Sequence, residues 1–128
     1  MSLHQESWAL PPGPRAAGIA RSHVAEACRH LPRETVDVAL LLTSEIETNA
    51  VQCSEGDVLM SLEANGDLLV EVHDDAPALP APEPAHPLAE RGRGLMIVEA
   101  FADAWGTRSH AVGKSVWFSL HCGAAVEG

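Results

Sequence analysis

At 128 residues the chain holds one domain with a single real core, and its 46% apolar share is that of an ordinary globular protein. Eight basic residues against eighteen acidic ones leave a net charge of −10, which argues against nucleic acid or an anionic membrane surface as partner, because phosphate neutralisation supplies most of that binding. No apolar run approaches the roughly 18 residues of a membrane span, "MSLHQESWALPPGPRAAG" lacks the pattern of a secretory leader, and Cys28, Cys53 and Cys122 form no CxxC pair, so a cytoplasmic address is expected.

The first element is "SWAL", a short extended segment that stops at Pro11-Pro12. From Pro14 to Leu31, small or apolar residues recur at 16, 19/20, 24, 27 and 31, the spacing of an amphipathic helix, and Pro32 ends it. A second helix starts near Glu34 and runs to about Cys53, with Ala39, Leu42, Ile46 and Ala50 as its core stripe. Inside it, "SEIETNA" sets Glu45 and Asn49 one turn apart at the edge of that stripe. A solvated helix edge is one reading. The other is chemical: an amide oxygen is a good ligand for a hard cation such as phosphate-bound Mg²⁺, and a carboxylate one turn away can orient or deprotonate a nucleophile.

Alternating residues on both sides of Asn65-Gly66 predict a hairpin with strands near 57–63 and 68–74. Asp74 and Asp75 close the second strand, either as solvated turn residues or as an acceptor for an exocyclic amine such as that of adenine. "APALPAPEPAHPLAERG" follows with five prolines, which exclude regular structure and predict a loop, residues 76–91, of the length usual for a lid or a disordered segment. In "GRGLMIVEAFADAWG", Gly92 and Gly94 precede a helix expected from about Leu95 to Ala104. A helix N-terminus behind glycines is a ready anion site, and an ordinary loop-to-helix turn is the alternative.

Strands near 105–110 and 115–121 make a closing hairpin. Grouped helices among paired strands predict an α+β two-layer sandwich, its sheet mixed but mostly antiparallel, with helices on one face. His23, Cys28 and His30 match no zinc spacing, and Trp8, Trp105 and Trp117 read as core or interface aromatics.

"LLTSEIETNAVQ", "VEVHDDAP", "RGRGLMIVEAFADAWG" and "GKSVWFSL" stand in the order found in the GHKL (Bergerat-fold) ATPases. The chain most resembles their small anti-sigma-factor serine/threonine kinases and related ATP-binding regulators, over roughly residues 8–121. The resemblance implies that Asn49 coordinates Mg²⁺ bridging the ATP phosphates and that Glu45 is the general base. It implies that Asp74, rather than Asp75, binds the adenine amine, and that Gly92, Arg93 and Gly94 offer backbone to the phosphates. Arg91 is then a candidate γ-phosphate contact, and Ser115 stands where the family commonly has a threonine near the adenine.

The chain departs from the family at Ala76, where a glycine or serine is usual, and in a lid rich in proline rather than glycine. Arg91 also abuts Gly92 closely. Two functions therefore follow from the resemblance. The first is an ATP- and Mg²⁺-dependent anti-sigma factor that binds a sigma factor and phosphorylates a serine or threonine of a STAS-domain anti-anti-sigma partner. The rival is a non-catalytic interaction module on the same fold, with or without nucleotide. Family members often dimerise, so a homodimer is also an expectation.

Overall fold

The computed structural model describes residues 4–54, 56–75 and 95–122. The lid, 76–91, and Gly92 to Gly94 lie outside them. In chain order the elements are β1 (His4–Leu10), α1 (Arg15–Ala27), α2 (Arg33–Cys53), β2 (Val58–Ala64), β3 (Asp67–Asp74), α3 (95–101), β4 (Ala104–Ser109) and β5 (Lys114–His121). No described helix is long and apolar enough to cross a membrane.

Pro32 separates the two long helices by its fixed φ of −59°, which suits the position just before a helix and cannot continue one. Its carbonyl accepts from the amides of Thr35 and Val36, and Glu34 lies in the first turn, where a carboxylate meets the positive end of the helix dipole. At 21 residues α2 is roughly 30 Å long. Its stripe of Ala39, Leu42, Ile46 and Ala50 is fully buried, as the 3.6-residue period requires.

The five strands form one sheet in the order β1-β2-β3-β5-β4, and every pairing is antiparallel, so the sheet is not mixed. Side chains alternate faces along each strand. Leu10, Val58, Met60, Leu62, Leu68, Val70, Val72, Val116, Phe118 and Leu120 point to one face, where they join Ala16, Ala20 and Val24 of α1 and the stripe of α2 in a single core. Trp8 and Trp105 pack against that core from the two edge strands, as read from the sequence. The other sheet face carries no described helix.

The expected boundaries move by a few residues. β1 extends past "SWAL" to seven residues, because it pairs with the whole of β2. α3 stops at residue 101 rather than 104, since the Asp103 amide already donates to the carbonyl of Ser119 and starts the last pairing. The result is an α+β fold: a five-stranded antiparallel sheet with three helices.

Candidate functional site

The C-terminal ends of α2 and β3 are tied together. Ser54, just past α2, has left the helical conformation (φ −94°, ψ 151°). Its hydroxyl donates to Asp75 Oδ1 at 2.8 Å and accepts from the amide of Gly56 at 3.1 Å. This hydroxyl–carboxylate bond gives Asp75 a turn-closing role. It also sets the end of α2 against the end of the strand that carries Asp74. Asn49 lies roughly 7 Å back along the helix axis from Ser54, and Glu45 one turn further. Both are half-buried, beside the stripe that packs on the sheet.

Asp74 ends β3 in the inward series of Leu68, Val70 and Val72, and its side chain is 1% exposed. Lys114 opens β5 directly opposite, and its Nζ donates to Asp74 Oδ2 at 2.7 Å. The turn before β5 delivers that lysine. The His110 amide donates to the carbonyl of Gly113 at 3.0 Å, and Gly113 has a φ of 86°. A Cβ at Gly113 would collide with the carbonyl oxygen of Asp74 and lie 2.9 Å from the Cα of Asp75, so only glycine lets the turn press so closely on β3. Lys114 and Gly113 escape a reading by motif. What singles out the lysine is its register against Asp74, which the structure supplies.

Ser115 requires a correction. It follows Lys114 on a strand, so alternation sends it to the opposite sheet face, away from Asp74. There its hydroxyl donates to Glu71 Oε2 at 2.5 Å, and His110 Nε2 lies 3.0 Å from the Ser115 hydroxyl oxygen. Arg108 Nη1 donates to both Glu71 oxygens at 3.2 and 3.3 Å, and its guanidinium rests 5.4 Å above the Trp117 ring. His73 Nε2 donates to the carbonyl of Val112 at 3.0 Å, and the two imidazoles meet edge to face. Beside this cluster is an open cavity of about 500 Å³, whose walls include Ser7, Leu59, Ser61 and Val112. Ser115 thus belongs to a polar network separate from Asp74.

Glu47 is the residue of "SEIETNA" that the sequence reading passed over. It is only 2% exposed, and burial pushes its carboxyl above the ordinary range, against the smaller opposing effects of the Thr48 hydroxyl and the Arg21 charge. It lines a cavity of about 470 Å³ with Gly13, Pro14, Ala17, Thr48 and Val51. One turn earlier, the buried Thr43 hydroxyl has no hydrogen-bond partner among the described residues. The spacing is ambiguous there: 43 and 47 continue a helical line that starts in the stripe at Ala39, yet an acidic residue on that line reads as exposed.

Arg91, Gly92, Arg93 and Gly94 lie outside the described residues. The helix that follows them, α3, is anchored by the buried Val98, with Leu95 and Ile97 partly buried against the core. Among the described residues no group of three or more His, Cys, Asp or Glu side chains could hold a metal. His23 stacks on Trp8 at 4.0 Å, a packing role. Cys28 and Cys122 are buried free thiols. Burial, helped by the neighbouring Cys122, pushes Cys28 up to about 11, and burial also raises Cys122, so neither is an activated nucleophile.

The sequence model of the histidine kinase-like ATPase domain matches residues 10–120, which takes in every described element except most of β1 and the last residue of β5. Among curated proteins, none matches the chain.

Proposed function

Because the chain belongs to the family of histidine kinase-like ATPase domains, whose ATP-binding regulatory role it shares, we propose that it is a cytoplasmic anti-sigma factor with serine/threonine kinase activity. Its substrates are ATP and a hydroxyl of a STAS-domain anti-anti-sigma partner, and its other partner is a sigma factor. The observation that supports this reading best is the Ser54–Asp75 tie, because it joins the C-terminal end of the helix that carries Glu45 and Asn49 to the end of the strand that carries the buried Asp74. A pair of copies is the expected assembly.

In this reading Asp74 accepts a hydrogen bond from the exocyclic amine of adenine. The Asn49 amide oxygen suits magnesium held chiefly by phosphates, which needs one or two protein oxygens and no three-residue cluster. When bound, that ion neutralises phosphate charge. Glu45 takes the proton of the attacking hydroxyl as its oxygen bonds to the γ-phosphorus and the bond to ADP breaks. The amides of Gly92, Arg93 and Gly94 and the guanidinium of Arg91 would face the phosphates, a role taken from the family resemblance alone.

The Lys114–Asp74 ion pair favours a second reading, the non-catalytic module, because the carboxylate assigned to adenine already holds a cation. Label transfer from ATP to the STAS protein separates the two. Glu45→Gln is expected to lower transfer by roughly 10²–10⁴-fold while ATP affinity stays within about two-fold. Wild-type protein that binds ATP and transfers nothing, with its partner present, supports the module. Unchanged Mg²⁺-dependent ATP affinity in Asn49→Ala removes the metal role of Asn49.

A further inference from the structure

We propose that Lys114 is a resident competitor for the base-recognition carboxylate, so that an amino-purine nucleotide enters this site only by displacing the lysine ammonium from Asp74. The inference rests on the reading of Asp74 as the group that binds the base. The two side chains meet at 2.7 Å, across directly paired residues of β3 and β5. Asp74 is 1% exposed and cannot turn to water, whereas Lys114 is 26% exposed on a flexible stem and can. The pair is therefore asymmetric: the anion is fixed and the cation can leave.

The chemistry of the exchange is unfavourable to the nucleotide. An ammonium gives the carboxylate a charge-assisted bond between two ions, and an exocyclic amine gives it a hydrogen bond from a neutral donor. Parting a buried carboxylate from an ammonium is costly, so the amine best arrives as the ammonium departs. Nor is the lysine placed by chance rotation of a surface chain. Gly113 holds the turn against the Asp74 carbonyl and starts β5 with Lys114 in register with the carboxylate.

The proposal also predicts how the base is read. With the lysine gone, Asp74 accepts from the 6-amino group of adenine and repels the 6-oxo group of hypoxanthine. With the lysine present, its ammonium can donate to that 6-oxo oxygen, and the discrimination shrinks. Lys114 is thus a specificity-determining residue as well as a competitor.

Isothermal titration of the full chain with Mg²⁺ and either ATP or ITP tests this. Lys114→Thr is expected to bind ATP about ten-fold tighter than wild type or better, and to bind ITP no tighter, so that the ATP-to-ITP ratio rises by about ten-fold. A general loosening of the fold would move both nucleotides alike. Should Lys114→Thr fail to give a native circular dichroism spectrum, Lys114→Met keeps a stem of similar bulk without the charge or the donor, and the same ratio is read. An unchanged or lower ratio in a folded variant overturns the proposal. Asp74→Asn separates the underlying reading: if ATP affinity is unaltered there, Asp74 does not bind the base, and that reading falls as well. If Asp74→Asn weakens ATP while the lysine variants change nothing, only the competitor role is lost.

Discussion

Asp74 and Glu71 lie three residues apart on β3, each meets a cation, and each reaches across to β5, yet the two clusters are opposites. Asp74 faces the helices, is 1% exposed and holds one ammonium at 2.7 Å. Glu71 faces the side that carries no described helix, is 20% exposed, and shares its oxygens between the Ser115 hydroxyl and an Arg108 that is itself 48% exposed. Ser115 is itself fully buried, so it is on the Arg108 side that this network can trade a lost partner for water at small cost, whereas the buried Asp74 has no such exchange. The helix-facing end of β3 is therefore where a single substitution bears most on folding and, on the proposed reading of Asp74, on ligand choice. The open face is where substitutions are absorbed.

Two glycines make the sharpest break between these regions. Gly113→Ala adds a Cβ that collides with the Asp74 carbonyl and must adopt a φ of 86°, so unfolding should become easier by roughly 3 kcal/mol or more. Gly106→Ala on the open face adds a Cβ 3.0 Å from the Trp117 ring, a side chain that can shift, and about 1 kcal/mol is expected. Urea melts of both variants check the order. Equal losses would mean that the turn before β5 yields as readily as the tryptophan, and that Lys114 is not held in place.

The carboxylates themselves come next. Asp74→Asn should cost about 2 kcal/mol, because it takes the charge from a buried pair while leaving Lys114 able to reach water. Glu71→Gln should cost less than about 1 kcal/mol, since the amide still accepts from Ser115 and Arg108 is already half solvated. Melts of the two single variants and of the double variant measure this. Their effects should add if the two faces are independent. A coupling above about 0.5 kcal/mol would join the clusters into one network.

The sequence carried the helices, the Asn65-Gly66 hairpin and the Glu45–Asn49 spacing, because each is a local pattern of period 3.6, period 2 or a turn pair. It could not carry what depends on pairing register. Lys114 and Ser115 are neighbours in a motif, and only the register of β5 against β3 shows that the first faces Asp74 and the second faces away. The family threonine suggested the wrong one of the two. Burial of Glu47 was similarly hidden, since an acidic residue in "SEIETNA" reads as exposed until α1 is packed beside it. Trp105 and Trp117 show the same limit: both were read as core or interface aromatics, and they lie on opposite sheet faces.

The smallest effect lies at the far end of the sheet and tests the open-face rule through pH. His121 Nδ1 meets Asp67 at 3.1 Å with both side chains largely exposed, and its pKa is raised above 6.5, first by the hydrogen bond to Asp67 and then by the charges of Asp103 and Asp67. A raised folded pKa means that the imidazolium is favoured in the native state. Its stabilisation is fully present below pH 6.5 and fades as pH rises through the higher folded value. Titration of the His121 ring by NMR should show the elevated midpoint, and Asp67→Asn should bring it down toward the ordinary value. Melts at pH 6 and pH 8 should differ little between the two proteins, because solvent screens a largely exposed pair. A large pH-dependent loss in Asp67→Asn would show that an exposed ion pair can carry real weight here, and the contrast between the two ends of β3 would have to be redrawn.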